Sequence, residues 1–366
     1  MKILHIFTLP FTRNGITVFP ISRAKALAGR GILLDFAAPG EPQEALMGQL
    51  RALGIGYHPL CASRKTQKLR YWMELRRLIR KNRYDAVHCH GNSATLAMEL
   101  LAAKLAGCRV CIAHSHNTTC NYKNLDRRLR PLFYRLYTHA VACGTDAGNW
   151  LFPGRPFRVF FNGVDLCAFR FDPAVREKMR ASLLLGDALV LGHVGRFNPQ
   201  KNHAFLLEAF AALKKRRPDA RLLLVGDGFL EEQTRALAGK LGVIEDVVFA
   251  GSVENVADYL DAMDVMALPS RYEGFPTVLV EWQCAGLPSL VSDRVTREAA
   301  LTNLVRFDAL EHGAEAWAAE LAAMADGRDR ARDSRAAAEL LRYGGFELED
   351  SANALADFYE AAVKKR

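Results

Sequence analysis

The stretch VMALPSRYEGFPTVLVEWQCAGLP, residues 265–288, decides the fold. Val265–Leu268 form an apolar run that predicts a buried strand, and the polar segment after it predicts a loop. A helix is predicted over 277–285, with Pro276 in its first turn, where a missing N–H costs nothing, and Gly286 at its end. Strand, loop, helix and turn in this order predict one βαβ unit of a parallel sheet.

The same alternation extends along the whole chain. Amphipathic helices are predicted at 19–30, 95–106 and 203–217, between short apolar runs. Eleven strands are predicted: Lys2–Phe7, Leu33–Ala37, Ala86–His90, Cys111–His114, Ala140–Ala142, Arg158–Phe160, Val190–His193, Arg221–Val225, Val247–Phe249, Val265–Leu268 and Ser289–Val291. At ~100–200 residues per domain, 366 residues suggest two domains. We therefore expect an α/β protein with two Rossmann-like, doubly wound parallel-sheet domains.

The two predicted domains meet near residue 166. The segment FFNGVD, residues 160–165, contains an Asn-Gly turn signal, and no clear core element follows it before Leu189. We expect an N-terminal domain over 1–166 and a C-terminal domain over 167–348, followed by a terminal helix in 349–366.

The net charge of +9 divides at the same point. Residues 1–166 contain 24 basic and 9 acidic residues, a net of +15, and the remainder contains 25 basic and 31 acidic residues, a net of −6. Two segments, 64–83 and 123–137, predict basic amphipathic helices. Each is consistent with an ordinary solvated face, or with contact to an anionic membrane surface or a polyanionic acceptor. No recognition module accompanies the charge, so we expect no nucleic-acid partner.

Other features narrow the class of protein. No apolar run approaches the ~20 residues that a spanning helix needs. The N-terminal apolar segment predicts a strand rather than a signal peptide, because no small-residue cleavage site follows it. The eight cysteines are irregularly spaced, which predicts free thiols in a reducing compartment. We expect a cytoplasmic protein, in part peripheral on the inner face of the cell membrane.

Three strand ends carry candidate anion sites. The helix after Pro276 begins with Thr277 and Val278, whose N–H groups lack intrahelical partners, and the carboxylates of Glu273 and Glu281 flank it. Earlier, Arg196 and Lys201 follow the strand ending near 194, and two cations there suit a diphosphate. Gly226 and Gly228 follow a third strand and allow close backbone approach.

In this combination the sequence resembles the retaining glycosyltransferases of family 4, which have the GT-B fold. The family's E-x7-E signature corresponds to Glu273–Glu281, and its Gly-Arg…Lys-Asn donor segment to 195–202. Its Val-Gly-x-Gly turn corresponds to 225–228, and its interdomain Asn-Gly-Val-Asp to 162–165. HCHGNSAT at 88–95 and IAHSHNT at 112–118 look like the branch of exopolysaccharide and capsule transferases.

The resemblance implies that a nucleotide-diphospho-sugar, expected to be a UDP-sugar, binds the C-terminal domain. Arg196 and Lys201 would neutralise the leaving diphosphate, and Thr277 and Val278 would donate N–H groups to the same phosphates. Glu281 would hold the ribose hydroxyls. Glu273 would contact the donor sugar. The donor-binding set is completed by the flanking loop positions Gly226, Gly228, Gly274 and Phe275.

The resemblance also implies a carbohydrate or lipid-linked acceptor on the N-terminal domain. Gly15 matches one glycine of the family's Gly-Gly turn, which reads Asn14-Gly15 here. Gly15 and His114 belong to the expected donor-binding set. Of His114 and His116, the second is preferred as a catalytic residue, beside Glu273, Arg196 and Lys201, because it precedes Asn117 as the family's histidine does. The helix at 351–364 is expected to cross back onto the N-terminal domain, and domain closure to bring the substrates together in an interdomain cleft.

No cofactor and no metal are expected. The chain contains no D-x-D motif, so protein cations would replace the metal of the other major transferase fold. A non-hydrolysing UDP-sugar epimerase of the same architecture and a non-catalytic nucleotide-sugar-binding protein remain alternatives. A nicotinamide oxidoreductase is disfavoured, because no G-x-G-x-x-G follows a predicted strand.

Overall fold

The computed structural model of the protein describes residues 1–12 and 15–364, so Asn14 of the predicted glycine turn lies outside the described residues. The strands, numbered in chain order, are β1 Lys2–Phe7, β2 Leu33–Pro39, β3 Gly56–Leu60, β4 Ala86–Gly91, β5 Val110–Ser115, β6 His139–Ala142, β7 Arg158–Val159, β8 Val190–Val194, β9 Arg221–Val225, β10 Val247–Gly251, β11 Val265–Leu268, β12 Ser289–Ser292 and β13 Val305–Asp308. The α-helices are α1 Gly15–Gly29, α2 Glu44–Ala52, α3 Lys68–Asn82, α4 Ala97–Leu105, α5 Lys123–Leu136, α6 Thr145–Leu151, α7 Pro173–Ser182, α8 His203–Arg216, α9 Glu231–Lys240, α10 Val256–Ala262, α11 Thr277–Cys284, α12 Gly313–Ala325, α13 Arg330–Tyr343 and α14 Leu348–Lys364.

The chain folds into two compact units. Unit 1 comprises Met1–Gly163 together with Leu348–Arg366, and unit 2 comprises Val164–Glu347. Unit 1 contains a seven-stranded parallel sheet in the order β3-β2-β1-β4-β5-β6-β7, and unit 2 a six-stranded parallel sheet in the order β10-β9-β8-β11-β12-β13. In each sheet the strand order reverses beside the first strand, as in doubly wound folds, where ligands bind at the carboxyl ends of the strands. The predicted fold class is confirmed.

The sheet of unit 1 is buried on both faces because helices cover each of them. On one face, α3, α4 and α5 contribute Tyr71, Leu100 and Phe133 to the core. On the other face, α1 contributes Phe19 and α14 contributes Tyr359.

Helix α14 belongs to unit 1 through polar contacts as well as apolar packing. The buried guanidinium of Arg23 on α1 donates from Nη2 to Ser351 Oγ at 2.6 Å and to the carbonyl of Phe161 at 2.9 Å. Nearer the surface, Arg30 pairs with Asp357 and Glu360, each at 2.7 Å. The packing of α14 on unit 1 is therefore stabilised by apolar burial and by the hydrogen bonds of the buried Arg23 guanidinium, which would cost free energy if it were left unpaired.

Local chemistry explains where the elements begin and end. Helix α11 begins directly after Pro276, and Gly286, whose φ is +70°, follows its end, as the turn chemistry predicts. The helix predicted over 95–106 is instead a 3₁₀ turn at Ala94–Leu96 that continues into α4.

Candidate active site

Three adjacent strands of unit 2 bring the predicted motifs to one edge of the sheet. Strand β8 pairs with β9 on one side and with β11 on the other. The segments after these three strands contain the Gly-Arg, Val-Gly-x-Gly and E-x7-E motifs, respectively. Because the strands are parallel, all three segments leave the sheet at the carboxyl ends of the strands. Helix α11 is the element that follows β11 in the chain, so its N-terminus comes after that same end of the sheet.

The two glycines after β9 are required by contact with the neighbouring loop. Gly226 has φ +140°, and a Cβ there would lie 2.2 Å from the carbonyl oxygen of Gly195. Gly228 has φ +151°, and a Cβ there would lie 2.5 Å from the carbonyl oxygen of Phe197. Both conformations are accessible to glycine alone at low cost. The close backbone approach that the sequence predicts is thus made, in this structure, to the segment that contains Arg196.

Lys201 and Glu273 form an ion pair between the β8 and β11 segments. Lys201 Nζ lies 2.8 Å from Glu273 Oε1, and their side chains are only 13% and 8% exposed. The second carboxylate oxygen accepts a hydrogen bond from Gln200 Nε2 at 2.8 Å. The backbone of Arg271 also donates to the carbonyl of Gln200, so the two loops are joined by main chain and side chains together.

Arg196 is placed differently from Lys201. Its side chain is 53% exposed, and its Nε lies 3.8 Å from a carboxylate oxygen of Asp227, which is also exposed. An ion pair so open to water contributes little to stability. The guanidinium is therefore free to turn toward an anion at the same edge of the sheet.

The two glutamates of the E-x7-E motif have different surroundings. Glu281 on α11 is partly buried, and among the described residues its carboxylate makes no hydrogen bond or salt bridge. Burial raises the pKa of Glu281 to about 7, and Lys201 opposes that shift. Hydroxyl groups of a bound ligand could donate hydrogen bonds to this carboxylate and stabilise its charged form.

The loop before α11 is held in place by its own packing. Glu273 and Gly274 are buried, and the ring of Phe275 stacks on Phe346 with centroids 5.6 Å apart. Thr277, expected to present its backbone N–H, donates it to the carbonyl of Phe275 at 3.1 Å. Thr277 and Val278 are partly exposed at the helix N-terminus.

Sequence reasoning assigned no role to two buried polar groups beside this site. His193 on β8 bonds through Nδ1 to the carbonyl of Ala267, while its buried Nε2 has no partner among the described residues. A Cβ on Gly195 would lie 3.0 Å from that nitrogen and 3.1 Å from Lys201 Cε, which places His193 next to the lysine. The buried hydroxyl of Ser270, just after β11, likewise lacks a partner in the described chain. In the sequence, the feature that could have identified these residues is a polar residue within an apolar strand, as for His193, or just after one, as for Ser270.

In unit 1 the predicted histidines lie at the end of β5. His114 is fully buried in the strand, and its Nδ1 bonds to His88 Nε2 at 3.0 Å. His116 follows the strand, is partly exposed, and bonds through Nε2 to His90 Nδ1 at 2.8 Å. Burial lowers the pKa of His116 to about 3, so both rings are neutral at pH 7. Gly15, the first residue of α1, is exposed, and nothing lies within 4 Å of a Cβ built there.

Some of these imidazoles could in principle hold a metal ion. Two trios, His5 with His88 and His90, and His90 with His114 and His116, have nitrogen atoms within 4.8 Å of one another. In the first trio, His5 Nδ1 and His90 Nε2 are hydrogen-bonded to each other at 2.7 Å, so these two nitrogens face one another rather than a common point.

Two family models together match most of the chain. The model described as "Glycosyltransferase Family 4" matches residues 13–167, and the model "Glycosyl transferases group 1" matches residues 175–339. A protein of Bacillus subtilis (strain 168) that bears the name of a glycosyltransferase, EpsF, is 32% identical over 100% of this chain and 97% of its own length. The chain belongs to glycosyltransferase family 4.

Three further comparisons concern a relative of this family 4 glycosyltransferase and two solved structures with a similar fold. An Escherichia coli protein named UDP-Gal:alpha-D-GlcNAc-diphosphoundecaprenol alpha-1,3-galactosyltransferase is 29% identical over 60% of this chain and 61% of its own length. The crystal structure of Anabaena Alr3699/HepE in complex with UDP has a TM-score of 0.80, with 20% identity, and covers 99% of this chain and 100% of its own. A second structure of that protein, with UDP-glucose, gives the same TM-score at 19% identity and 99% and 100% coverage. The GT-B fold is confirmed.

Proposed function

We propose that this glycosyltransferase moves a sugar from a UDP-sugar to a carbohydrate or lipid-linked acceptor in exopolysaccharide synthesis, with retention of anomeric configuration and without a metal. The observation that carries the proposal is the nearly buried Lys201–Glu273 pair beside a Glu281 carboxylate that has no hydrogen-bond partner in the described chain. A cation and two carboxylates at the carboxyl ends of β8 and β11 suit a ligand that combines phosphate with hydroxyl groups.

The cations act on the leaving group. As the sugar departs, negative charge develops on the diphosphate, and Lys201 and Arg196 stabilise that charge in place of a metal ion. Lys201 has three N–H donors, so it can keep its bond to Glu273 and still donate to a phosphate oxygen. The exposed Arg196 turns toward the diphosphate when it binds.

The carboxylates act on hydroxyl groups. Glu281 accepts hydrogen bonds from the ribose diol, and that contact supplies the partners that its carboxylate lacks. Glu273, held by Lys201 and Gln200, contacts the donor sugar through its remaining lone pairs. The main-chain N–H of Val278 at the start of α11 contributes to phosphate binding, and His116 of unit 1 contacts a sugar hydroxyl.

The choice of UDP and of a lipid-linked acceptor rests on relatives. The Anabaena structure holds UDP or UDP-glucose, and the name of the Escherichia coli relative specifies UDP-Gal and an acceptor on diphosphoundecaprenol. A polyprenyl acceptor is confined to a membrane, so we further propose that unit 1 rests on an anionic membrane surface.

The face formed by α3, α4 and α5 suits that surface. Large apolar side chains are exposed there: Leu69, Met73, Leu105, Tyr122, Leu125 and Leu132. Exposed basic residues accompany them, and no salt bridge in the described chain engages them: Lys65, Lys68, Arg70, Arg77, Arg80, Lys81, Arg83, Lys123, Arg127, Arg128 and Arg135. Exposed apolar and basic groups on one face are typical of interfacial binding. Among the described residues, no helix combines the length and the apolar character needed to span a bilayer.

A donor screen tests the proposal. The purified protein is incubated with UDP-glucose, UDP-galactose, UDP-N-acetylglucosamine or UDP-N-acetylgalactosamine and a polyprenyl-diphosphate-linked sugar, and UDP release is measured with and without EDTA. We expect acceptor-dependent release that EDTA leaves unchanged, and a product whose anomeric configuration by NMR equals that of the donor. Conversion of a UDP-sugar without acceptor would instead identify an epimerase, and product with inverted configuration would overturn the retaining mechanism.

A further inference from the structure

Five buried polar side chains of unit 1 and the partly exposed His116 form one continuous hydrogen-bonded chain. From the protein surface inward, His116 Nε2 bonds to His90 Nδ1 at 2.8 Å, and His90 Nε2 bonds to His5 Nδ1 at 2.7 Å. His5 Nε2 lies 3.2 Å from the hydroxyl of Tyr359, and that hydroxyl lies 2.7 Å from His88 Nδ1. His88 Nε2 then bonds to His114 Nδ1 at 3.0 Å. The chain, here called the histidine chain, begins at His116, directly after β5, and ends at His114 on β5.

The arrangement follows from sheet geometry. Side chains two residues apart in a strand point to the same face, which places the pairs His88/His90 and His114/His116 together. The register then aligns His5 of β1 with His88 of β4, and His90 with His114 of β5. Tyr359 reaches the same face from α14 and closes the gap between His5 and His88.

The rings of the histidine chain are neutral. Burial lowers the pKa of His5 and His116 to about 3, and it lowers the pKa values of His88, His90 and His114 well below the usual range. A neutral imidazole has one N–H donor and one acceptor nitrogen, and a tyrosine hydroxyl donates one proton. If every link is a hydrogen bond and the tyrosine proton is used in one of them, all donors point in the same direction along the chain, and only two directions exist. A tyrosine oxygen that accepted from both His5 and His88 would leave its own buried O–H without a partner in the described chain, at a cost of about 1–3 kcal/mol.

The inner end of the chain distinguishes the two directions. His114 Nε2 is buried and has no partner among the described residues. Arg23, whose guanidinium lies 4.1 Å from the centroid of Phe19, places a positive charge near His114, and Phe19 packs edge-on against the His114 ring at 4.8 Å. An N–H on Nε2 would be buried without an acceptor in the described chain and would lie near a cation, whereas an N–H on Nδ1 has His88 as its acceptor, so the proton of His114 is assigned to Nδ1.

From that end the remaining protons are fixed. His114 Nδ1–H donates to His88, His88 Nδ1–H donates to Tyr359, and the tyrosine hydroxyl donates to His5. His5 Nδ1–H then donates to His90, and His90 Nδ1–H donates to His116 Nε2. His116 must consequently carry its own proton on Nδ1, which makes no hydrogen bond within the described chain and belongs to a partly exposed side chain.

We propose that the histidine chain is a positioning device that fixes the tautomer of His116, so that this ring presents an Nδ1–H donor to a sugar hydroxyl oxygen of the bound substrate. Tyr359 is the link on which the direction depends, and His5, His88 and His90 are positioning residues. The role toward substrate rests on the proposed function, whereas the tautomer itself is a property of the free protein.

Removing the tyrosine hydroxyl tests the chain. Tyr359→Phe divides it into His116–His90–His5 and His88–His114, and the first piece is no longer tied to the charge of Arg23. Tyr71→Phe is a matched control, because Tyr71 is also fully buried in unit 1 and donates a single hydrogen bond, to Glu99, on the opposite face of the sheet. His90→Gln is a second variant that breaks the same connection should Tyr359→Phe not fold.

The primary measurement is nitrogen-15 NMR of histidine-labelled protein without substrate. We expect a single Nδ1–H tautomer for His116 in the wild-type protein and in Tyr71→Phe, and a mixture of tautomers in Tyr359→Phe. An Nε2–H tautomer in the wild type, or an unchanged single tautomer in Tyr359→Phe, would overturn the proposal. Stoichiometric zinc bound by the wild-type protein and lost in His90→Gln would overturn it as well, because a metal would then hold the rings.

The second measurement is kinetic. We expect Tyr359→Phe to lower kcat/KM about tenfold with full-length substrates, and Tyr71→Phe to change it less than twofold. A wild-type protein that transfers no sugar but shows the predicted tautomer would defeat the proposed function and leave the chain intact. An active enzyme whose tautomer and kcat/KM are both insensitive to Tyr359→Phe would defeat the chain alone.

Discussion

Lys201 Nζ and Glu273 Oε1 lie 2.8 Å apart in side chains that are almost withdrawn from water. The two residues come from loops after neighbouring strands, 72 positions apart in the sequence. The two opposite charges neutralise each other, so each makes the burial of the other possible. The pair therefore links the stability of unit 2 to the geometry of the proposed donor site.

Lys201→Ala leaves the buried Glu273 carboxylate without its cation and removes a donor to the diphosphate. We expect a free energy of unfolding lower by about 3 kcal/mol, the lower end of the range for a broken buried pair, and a kcat at least ~100-fold lower. Lys215→Ala is the matched control, because Lys215 forms a 3.0 Å pair with Glu315 in side chains that are 73% and 62% exposed. Its effect on stability should stay within about 0.5 kcal/mol. Wild-type turnover by Lys201→Ala, measured as UDP release, would remove Lys201 from the site.

Gly228→Ala tests the contact between the β9 turn and the Arg196 segment. The variant forces a Cβ into a residue with φ +151° and to within 2.5 Å of the carbonyl of Phe197, so we expect a loss of about 2 kcal/mol or more and weaker UDP binding. Gly239→Ala in α9 has nothing within 4 Å of the new Cβ and should raise stability by about 0.5–1 kcal/mol. Urea unfolding and calorimetric titration with UDP measure both. Equal effects of the two variants would show that the turn does not need glycine.

The sequence predicts every interior strand of both sheets and misses one edge strand of each. The two strands absent from the prediction, β3 and β13, are edge strands of their sheets. β3 reads GYHPL, and its proline is tolerated because an edge strand has a row of N–H groups without partners. β13 reads VRFD and is only partly buried, so it lacks the continuous apolar run that marks a central parallel strand.

The donor-side motifs could be located from sequence because each lies within a few residues of a predicted strand end. The histidine chain could not be located that way. Its pattern of alternate histidines is visible at 88–90 and 112–116, but the contact between them depends on β4 lying between β1 and β5. Tyr359 stands 271 positions from His88, and only the packing of α14 on unit 1 brings the two together. Strand order and long-range helix docking are properties of tertiary packing that local patterns do not encode.

Glu281 predicts a pH dependence of donor binding. Its folded-state pKa is raised to about 7, so the carboxylate that accepts the ribose hydroxyls is fully present only above that pH. UDP affinity in the wild-type protein should rise as pH increases from 6 to 8, and that rise should disappear in Glu281→Gln. Calorimetric titration across this range measures the slope. A wild-type slope that persists in Glu281→Gln would place the titrating group elsewhere.

The same shift makes an opposite prediction for stability. Because the folded state holds the Glu281 proton more tightly than the unfolded chain, this group's contribution is present below the unfolded pKa of about 4.5 and is lost as pH rises through about 7. The loss amounts to about 3 kcal/mol at most. Glu281→Gln should therefore stabilise the protein relative to wild type at pH 8 and have little effect at pH 4. Urea unfolding at the two pH values checks the sign.

The basic face of unit 1 predicts salt-dependent binding to anionic vesicles. Arg77→Glu together with Arg80→Glu reverses two exposed charges on α3, and each basic residue near an anionic membrane contributes about 1 kcal/mol of attraction. We expect flotation with vesicles that contain phosphatidylglycerol to fall at least tenfold in the double variant. Lys178→Glu together with Arg216→Glu makes the same change of net charge on exposed residues of unit 2 and should leave flotation unchanged.

Added salt should also weaken the binding of the wild-type protein to these vesicles, because interactions between exposed charges fall off over ~10 Å at 0.1 M ionic strength. Equal loss in both double variants would assign the attraction to net charge, and binding that ignored lipid charge and salt would mean that the basic residues of α3 and α5 form an ordinary solvated face.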